Sequence, residues 1–149
     1  MKIEKRVLDA WPVHKWLEAS SPAVEGVDRL LADAEKGSIR LFMSAINVSE
    51  VYYALLKRGE EAIALRWREM SGTLPVTIEV PSIEDIWEAA ALKGQFPLGY
   101  GDAFAAALAQ KHRCPLVTGD PEFRSVAGLE LEWLGEAKDS VKGQRRKPR

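Results

Sequence analysis

The sequence predicts a single three-layer α/β/α domain built on a mostly parallel central sheet. Three observations carry this prediction. Short apolar runs of strand length alternate along the chain with longer stretches of helical periodicity. Gly and Pro punctuate the joins between them. A helix opening at Gly99-Tyr100-Gly101-Asp102 is rich in alanine, with small residues at 103, 105, 106, 107 and 109, so it can lie close against a sheet.

The elements follow in order. Arg6-Val7-Leu8-Asp9-Ala10 reads as a first strand that ends at an acid. Pro12 suits the first turn of a short helix running through Trp16 and Leu17. Val24, Val27, Leu30, Leu31 and Ala34 recur at helical spacing, and Gly37 closes that helix. Ile39 to Met43 is a second strand, its broken alternation pointing to burial on both faces. Ser44 is placed to cap the next helix, whose apolar stripe is Val48, Val51, Tyr52 and Leu55. Asn47 and Glu50 fall on a different face of it. Gly59 separates this helix from one carrying Ile63, Trp67 and Met70, and Val76 to Val80 alternates as a third strand.

Ser82 and Asp85 form a capping box, with Ile83, Ile86, Trp87, Ala90 and Ala91 expected as the core face behind it. The Ala-rich helix follows, and Pro115 ends its pattern. Leu116-Val117-Thr118 is a short buried strand stopped by Gly119-Asp120-Pro121. Leu129, Leu131 and Trp133 alternate with acids as a last, edge strand.

Composition sets the bounds. A chain of 149 residues with 46% hydrophobic content can bury a sizeable core. No apolar run reaches the length of a membrane span, and Met1 to Asp9 is too short and charged for a signal peptide. A cytoplasmic location is therefore expected. The one cysteine, Cys114, excludes an internal disulfide and any multi-cysteine zinc site; it reads as a small buried residue at a strand start. His14 and His112 read as surface residues. Net charge is −1, but Lys142, Arg145, Arg146, Lys147 and Arg149 gather at one end and leave the rest acidic. Residues 1–137 read as the domain and 138–149 as a basic, disordered tail, suited to nucleic-acid contact or simply to solubility.

Four acids stand out by position: Asp9 after the first strand, Glu50 on a helix, Asp102 at a helix start and Asp120 after a strand. The carboxyl ends of parallel strands share one edge, where such folds place their sites. Glu50 joins the others if its polar face looks over that edge. Each acid alone has a plain structural reading as a turn residue, a helix cap or a solvated charge. Together they point to a site. Carboxylates crowded without compensation repel. A hard divalent cation with oxygen ligands, Mg²⁺ or Mn²⁺, relieves that repulsion, polarises phosphoryl oxygens and activates water. This is a route to phosphodiester hydrolysis that needs no histidine.

Val7-Leu8-Asp9-Ala10, Asn47-Val48-Ser49-Glu50-Val51, the run from Gly101 through Ala109, and Leu116 through Phe123 together resemble a PIN-domain ribonuclease. The nearer resemblance is to the VapC toxins of VapBC toxin–antitoxin systems, over roughly residues 5–134. It implies that Asp9, Glu50, Asp102 and Asp120 are the family's acidic quartet, holding Mg²⁺ or Mn²⁺. It further implies that Thr118 supports the site from the last core strand and that Asn47 faces the cluster. An RNA substrate such as tRNA or rRNA, a homodimer and a cognate VapB-type antitoxin are implied as partners. The chief departure is Trp11, where many relatives carry a small hydroxyl residue.

Two other readings compete. A phosphatase of the haloacid dehalogenase type would use Asp9 as nucleophile, but wants a second acid where Trp11 stands. A catalytically silent PIN-fold binding module would keep the architecture without the chemistry.

Overall fold

The strands lie in the order β3-β2-β1-β4-β5, and all four pairings are parallel. They are β1 (Glu4–Leu8), β2 (Ile39–Ser44), β3 (Thr77–Glu79), β4 (Leu116–Thr118) and β5 (Leu131–Trp133). The helices are α1 (Ala10–Leu17), α2 (Ala23–Glu35), α3 (Ala45–Lys57), α4 (Glu61–Met70), α5 (Ile83–Gln95) and α6 (Tyr100–His112). This computed structural model describes residues 2–137, so the basic tail expected at 138–149 lies outside the described residues.

Alternation of side chains along each strand divides the core in two. Val7, Phe42 and Leu116 point to one face and pack under α5 and α6. Leu8, Leu41, Met43 and Val117 point to the other, under α1 to α4. Three layers result. The chain runs from β1 outward through β2 to β3, then crosses back over the opposite face to β4. The order therefore reverses between β1 and β4, and the crevice beyond the carboxyl ends of those two strands is the topological switch point.

Local chemistry agrees with these boundaries. Ser44 Oγ accepts from the Ile46 N–H at 3.2 Å and starts α3 directly from the end of β2. Ser82 and Asp85 bond reciprocally to each other's N–H groups and start α5. Gly37 has φ of +81°, the left-handed conformation that ends α2 and that a Cβ would strain. On α6, Ala103, Ala105, Ala106 and Ala109 are fully buried. Their small side chains allow the helix to lie close over β1 and β2.

Two expectations are corrected. The first strand ends at Leu8, not Ala10; Asp9 is the residue before α1, and Ala10 already belongs to that helix. The expected core face of α5 is turned outward. Ile83 and Trp87 are 66% and 68% exposed, and Ile86 and Ala91 also lie at the surface. The face that meets α6 is instead Asp85, Ala89 and Leu92, at spacings of four and three. Asp85 is drawn to Lys111 of α6 at 3.3 Å, and Ala89 permits close helix approach. Bulk favours the other stripe, but orientation is set by the ends of the helix and by its small residues.

Replacing Ala105 by Leu should destabilise the fold by about 1–3 kcal/mol, because the added atoms have no space at the sheet contact. Replacing the exposed Trp87 by Ala should change stability by no more than about 0.5 kcal/mol. Urea denaturation of both variants checks the pair.

Candidate active site

Asp9 is where the site begins. It stands between β1 and α1, at the switch point, and is 1% exposed. An Asp at a helix start ordinarily caps the helix; this one makes no capping bond. Its Oδ2 accepts from the Thr118 hydroxyl at 2.9 Å, across the β1–β4 pair. Thr118 Oγ1 in turn accepts from the Asp120 N–H at 3.1 Å. One buried hydroxyl thus fixes the first acid and the backbone of another. Asp9 Oδ1 is buried with no hydrogen-bond partner among the described residues.

The second acid comes from α3. Asn47, fully buried, donates from Nδ2 to Glu50 Oε1 at 3.1 Å and to the Gly101 carbonyl at 2.9 Å. It ties α3 to the start of α6. Gly101 leaves room there for the Glu50 carboxylate, which a Cβ would meet at 2.7 Å and displace. The Asn47 Oδ1 is a second buried oxygen without a partner among the described residues.

Asp102 lies in the first turn of α6. An oxygen of each of Asp102, Asp120 and Glu122 lies within 4.8 Å of the others. Asp102 also feels the charge of Glu50, and Asp9 feels both Asp102 and Glu50. Asp102 therefore joins an inner group, Asp9 and Glu50, to an outer one, Asp120 and Glu122.

The electrostatics follow from burial and crowding. Burial first, and then the Asp102 charge, raise the Asp9 pKa well above the ordinary carboxylate value, against the Thr118 hydrogen bond. Asp102 is pushed up to about 7, by burial and then by Asp120, Glu50 and Glu122. Its place at a helix N-terminus acts in the opposite sense. That effect is worth about 0.3–1 kcal/mol, under a tenfold change in proton affinity, and it loses.

The arrangement fits a hard divalent cation. The donors are carboxylates and an amide oxygen, with no sulfur or imidazole among them, and two buried oxygens stand unpaired. Of the four expected acids, Asp102 and Asp120 come within 4.8 Å of each other together with Glu122. Asp9 and Glu50 lie outside that cluster, adjoin it through their charge coupling to Asp102, and are hydrogen-bonded to Thr118 and Asn47 respectively. Glu122 is the one site acid that sequence reasoning missed. The signal was its position two residues after Asp120, where the Asp120 carboxylate accepts the Glu122 N–H at 3.0 Å and turns the chain back.

Neither histidine belongs to this group. His112 ends α6, about 15 Å along the helix from Asp102. It is not a plain surface residue: its ring stacks on Phe42 at 4.0 Å and Nε2 lies 2.6 Å from Glu79. His14 is partly buried, its Nδ1 unpaired among the described residues, and burial lowers its pKa. Cys114 is half-buried before β4, and burial raises its thiol pKa. It lines a cavity of about 690 Å³ with Lys5, Arg6, Arg113 and Glu130, at the opposite end of the strands. That cavity holds none of the four acids.

The chain matches the PIN-domain family over residues 6–129. It belongs to that family. The PIN fold is shared with solved toxin structures. The Mycobacterium tuberculosis toxin VapC20, described as cleaving the sarcin-ricin loop, superposes with a TM-score of 0.68 at 16% identity, over 83% of this chain and 95% of that one. DNA-bound VapBC from Salmonella typhimurium gives 0.67 at 16% identity, over 89% and 99%. A toxin–antitoxin complex from Klebsiella pneumoniae gives 0.62 at 22% identity, over 83% and 94%. No curated protein matches at the level of sequence. Among the described residues, no helix of this PIN domain is long and apolar enough to cross a membrane.

The raised acids set a pH dependence. The folded state holds the Asp102 proton up to about 7, whereas the unfolded chain releases it near 3.8. Folded protein therefore binds more protons between those values, and stability falls as pH rises through that window. In EDTA, wild-type melting temperature should drop between about pH 5 and about pH 8, and Asp102→Asn should drop less. Equal drops in thermal melts would show that Asp102 does not carry the effect.

Proposed function

We propose that this PIN-domain protein is a metal-dependent endoribonuclease and the toxin of a VapBC-type toxin–antitoxin pair. The observation that carries the reading is the buried Asp9, left with an unpaired oxygen beside Glu50 and Asp102. A fold that merely needed a turn there would not bury a carboxylate unpaired. Support for the toxin assignment comes from PIN membership together with the toxin–antitoxin complexes that share the fold.

Asp9, Glu50, Asp102 and Asp120 would hold Mg²⁺ or Mn²⁺, both of which take oxygen donors. The chemistry supplied by either ion when bound is polarisation of a phosphoryl oxygen and acidification of water. Thr118 holds the Asp9 carboxylate in one orientation, and Asn47 does the same for Glu50. One carboxylate of the quartet accepts the proton of the attacking water. The water oxygen bonds to phosphorus in line with the departing 3′-oxygen, whose bond to phosphorus breaks and which takes up a proton from solvent to become a hydroxyl. The 2′-hydroxyl is not the nucleophile, so the products carry a 5′-phosphate and a 3′-hydroxyl.

RNA is the proposed substrate, and a VapB-type antitoxin, a second copy of the chain and a cytoplasmic setting are the proposed context. The basic segment 138–149 is proposed to add RNA affinity to an otherwise acidic chain, separate from the domain at 1–137.

Asp9→Asn, Asp102→Asn and Asp120→Asn should each reduce RNA cleavage by a hundredfold or more, on the order of a lost catalytic ligand, with the circular dichroism spectrum retained. EDTA should stop wild-type cleavage, and end analysis should find 5′-phosphates. A 2′,3′-cyclic phosphate formed in excess EDTA would overturn the mechanism.

Truncation after Val141 should weaken RNA binding and reduce its dependence on salt, since fewer counterions are released. Filter binding across a salt series measures both. An unchanged slope would leave the segment without a role in RNA binding.

A further inference from the structure

Trp11 is the second residue of α1 and takes part in neither hydrophobic cluster of the core. Its six-membered ring rests on Gly119, where a Cβ would overlap Cη2, Cζ3 and Cζ2. Gly119 joins Thr118, which holds Asp9, to Asp120. The indole is thus seated beside the acids, and glycine at 119 is what admits it. The ring is part-exposed. The indole N–H groups of Trp16, Trp67 and Trp133 donate hydrogen bonds; those of Trp11 and of the exposed Trp87 have none among the described residues. One turn along α1, Lys15 places its ammonium 5.5 Å from the ring centroid.

A large aromatic residue outside the core, with an unused donor and a cation at hand, is spent on something other than folding. Bases stack on such rings whatever their identity, and a nearby ammonium favours the adjoining phosphate. Stacking requires an unpaired base, which a duplex does not offer.

Building on the nuclease reading above, we propose that Trp11 is a stacking platform for an unpaired RNA base beside the scissile phosphate, with Lys15 on a neighbouring backbone phosphate. Trp11 is a specificity residue in this account, and the acids remain the reacting groups.

The test uses the full chain carrying Asp102→Asn, so that bound RNA is not cut. A single-stranded oligoribonucleotide containing 2-aminopurine is titrated, alongside the same sequence as a duplex. Adding Trp11→Ala should weaken single-strand binding about tenfold or more, leave duplex binding within about twofold, and remove the quenching of 2-aminopurine. Trp11→Phe, which keeps a ring and guards against a folding defect, should restore most of the affinity and the quenching. Lys15→Gln should lower the salt slope by about 0.7. Equal losses on both RNA forms, no loss at all, or a Phe variant that behaves like Ala would overturn the platform. Those results leave the nuclease reading intact provided wild type cuts RNA. A wild-type chain that cuts no RNA with Mg²⁺ or Mn²⁺ removes both readings.

Discussion

A single buried hydrogen bond, from the Thr118 hydroxyl to the Asp9 carboxylate, organises this molecule. It crosses the β1–β4 pair at the point where the strand order reverses. Asp9 is thereby held facing the crevice when it would otherwise cap α1. Thr118 also accepts the Asp120 N–H, so the two strand-end acids share one support. A valine at 118 would keep the shape and the β propensity, and lose both bonds. The fold tolerates the uncompensated Asp9 because the surrounding packing over-determines its position: Leu8 before it and Ala10 after it are both in the core.

The same logic governs α6. Its alanines permit close approach to the sheet, and that approach brings Asp102 towards the strand ends. Asn47 then spans from α3 to the Gly101 carbonyl and fixes the rotation of the α6 start. Core packing and site assembly are therefore one constraint. The cost is visible in the raised proton affinity of Asp9 and Asp102. Carboxylates crowded and buried in this way repel one another, and at low pH a bound proton relieves that repulsion.

The sequence made the fold legible because strand and helix periodicities alternate cleanly and because turn residues mark the joins. Asp9, Asp102 and Asp120 were legible by one rule, that parallel strands end on a common edge. Thr118, Asn47 and Glu50 needed the family resemblance as well, since a helix face does not say which neighbour it meets. Glu122 was hidden because its spacing of two from Asp120 carries meaning only once the Asp120 carboxylate is seen to accept the Glu122 N–H and turn the chain back. The α5 error has a similar origin. Ile83, Ile86 and Trp87 make the bulkier stripe, but the helix is oriented by Asp85 reaching Lys111 and by Ala89 against α6. Hydrophobic bulk predicts burial only when nothing more specific fixes the rotation.

Trp11 and Gly119 fit one another in this structure. A small hydroxyl at 11 would leave space over the β4 turn and set no demand on residue 119. The indole occupies that space, so a side chain at 119 would require the ring to move. The pair is therefore coupled, and the turn Gly119-Asp120-Pro121 serves two ends: it supplies the turn geometry and it clears the ground for the ring. The core does not explain the tryptophan, because neither cluster includes it. What surrounds the ring is the start of α1, the Gly119 turn and the Lys15 ammonium 5.5 Å away, so one turn of α1 sets neutral and cationic surface at the rim of the acidic group.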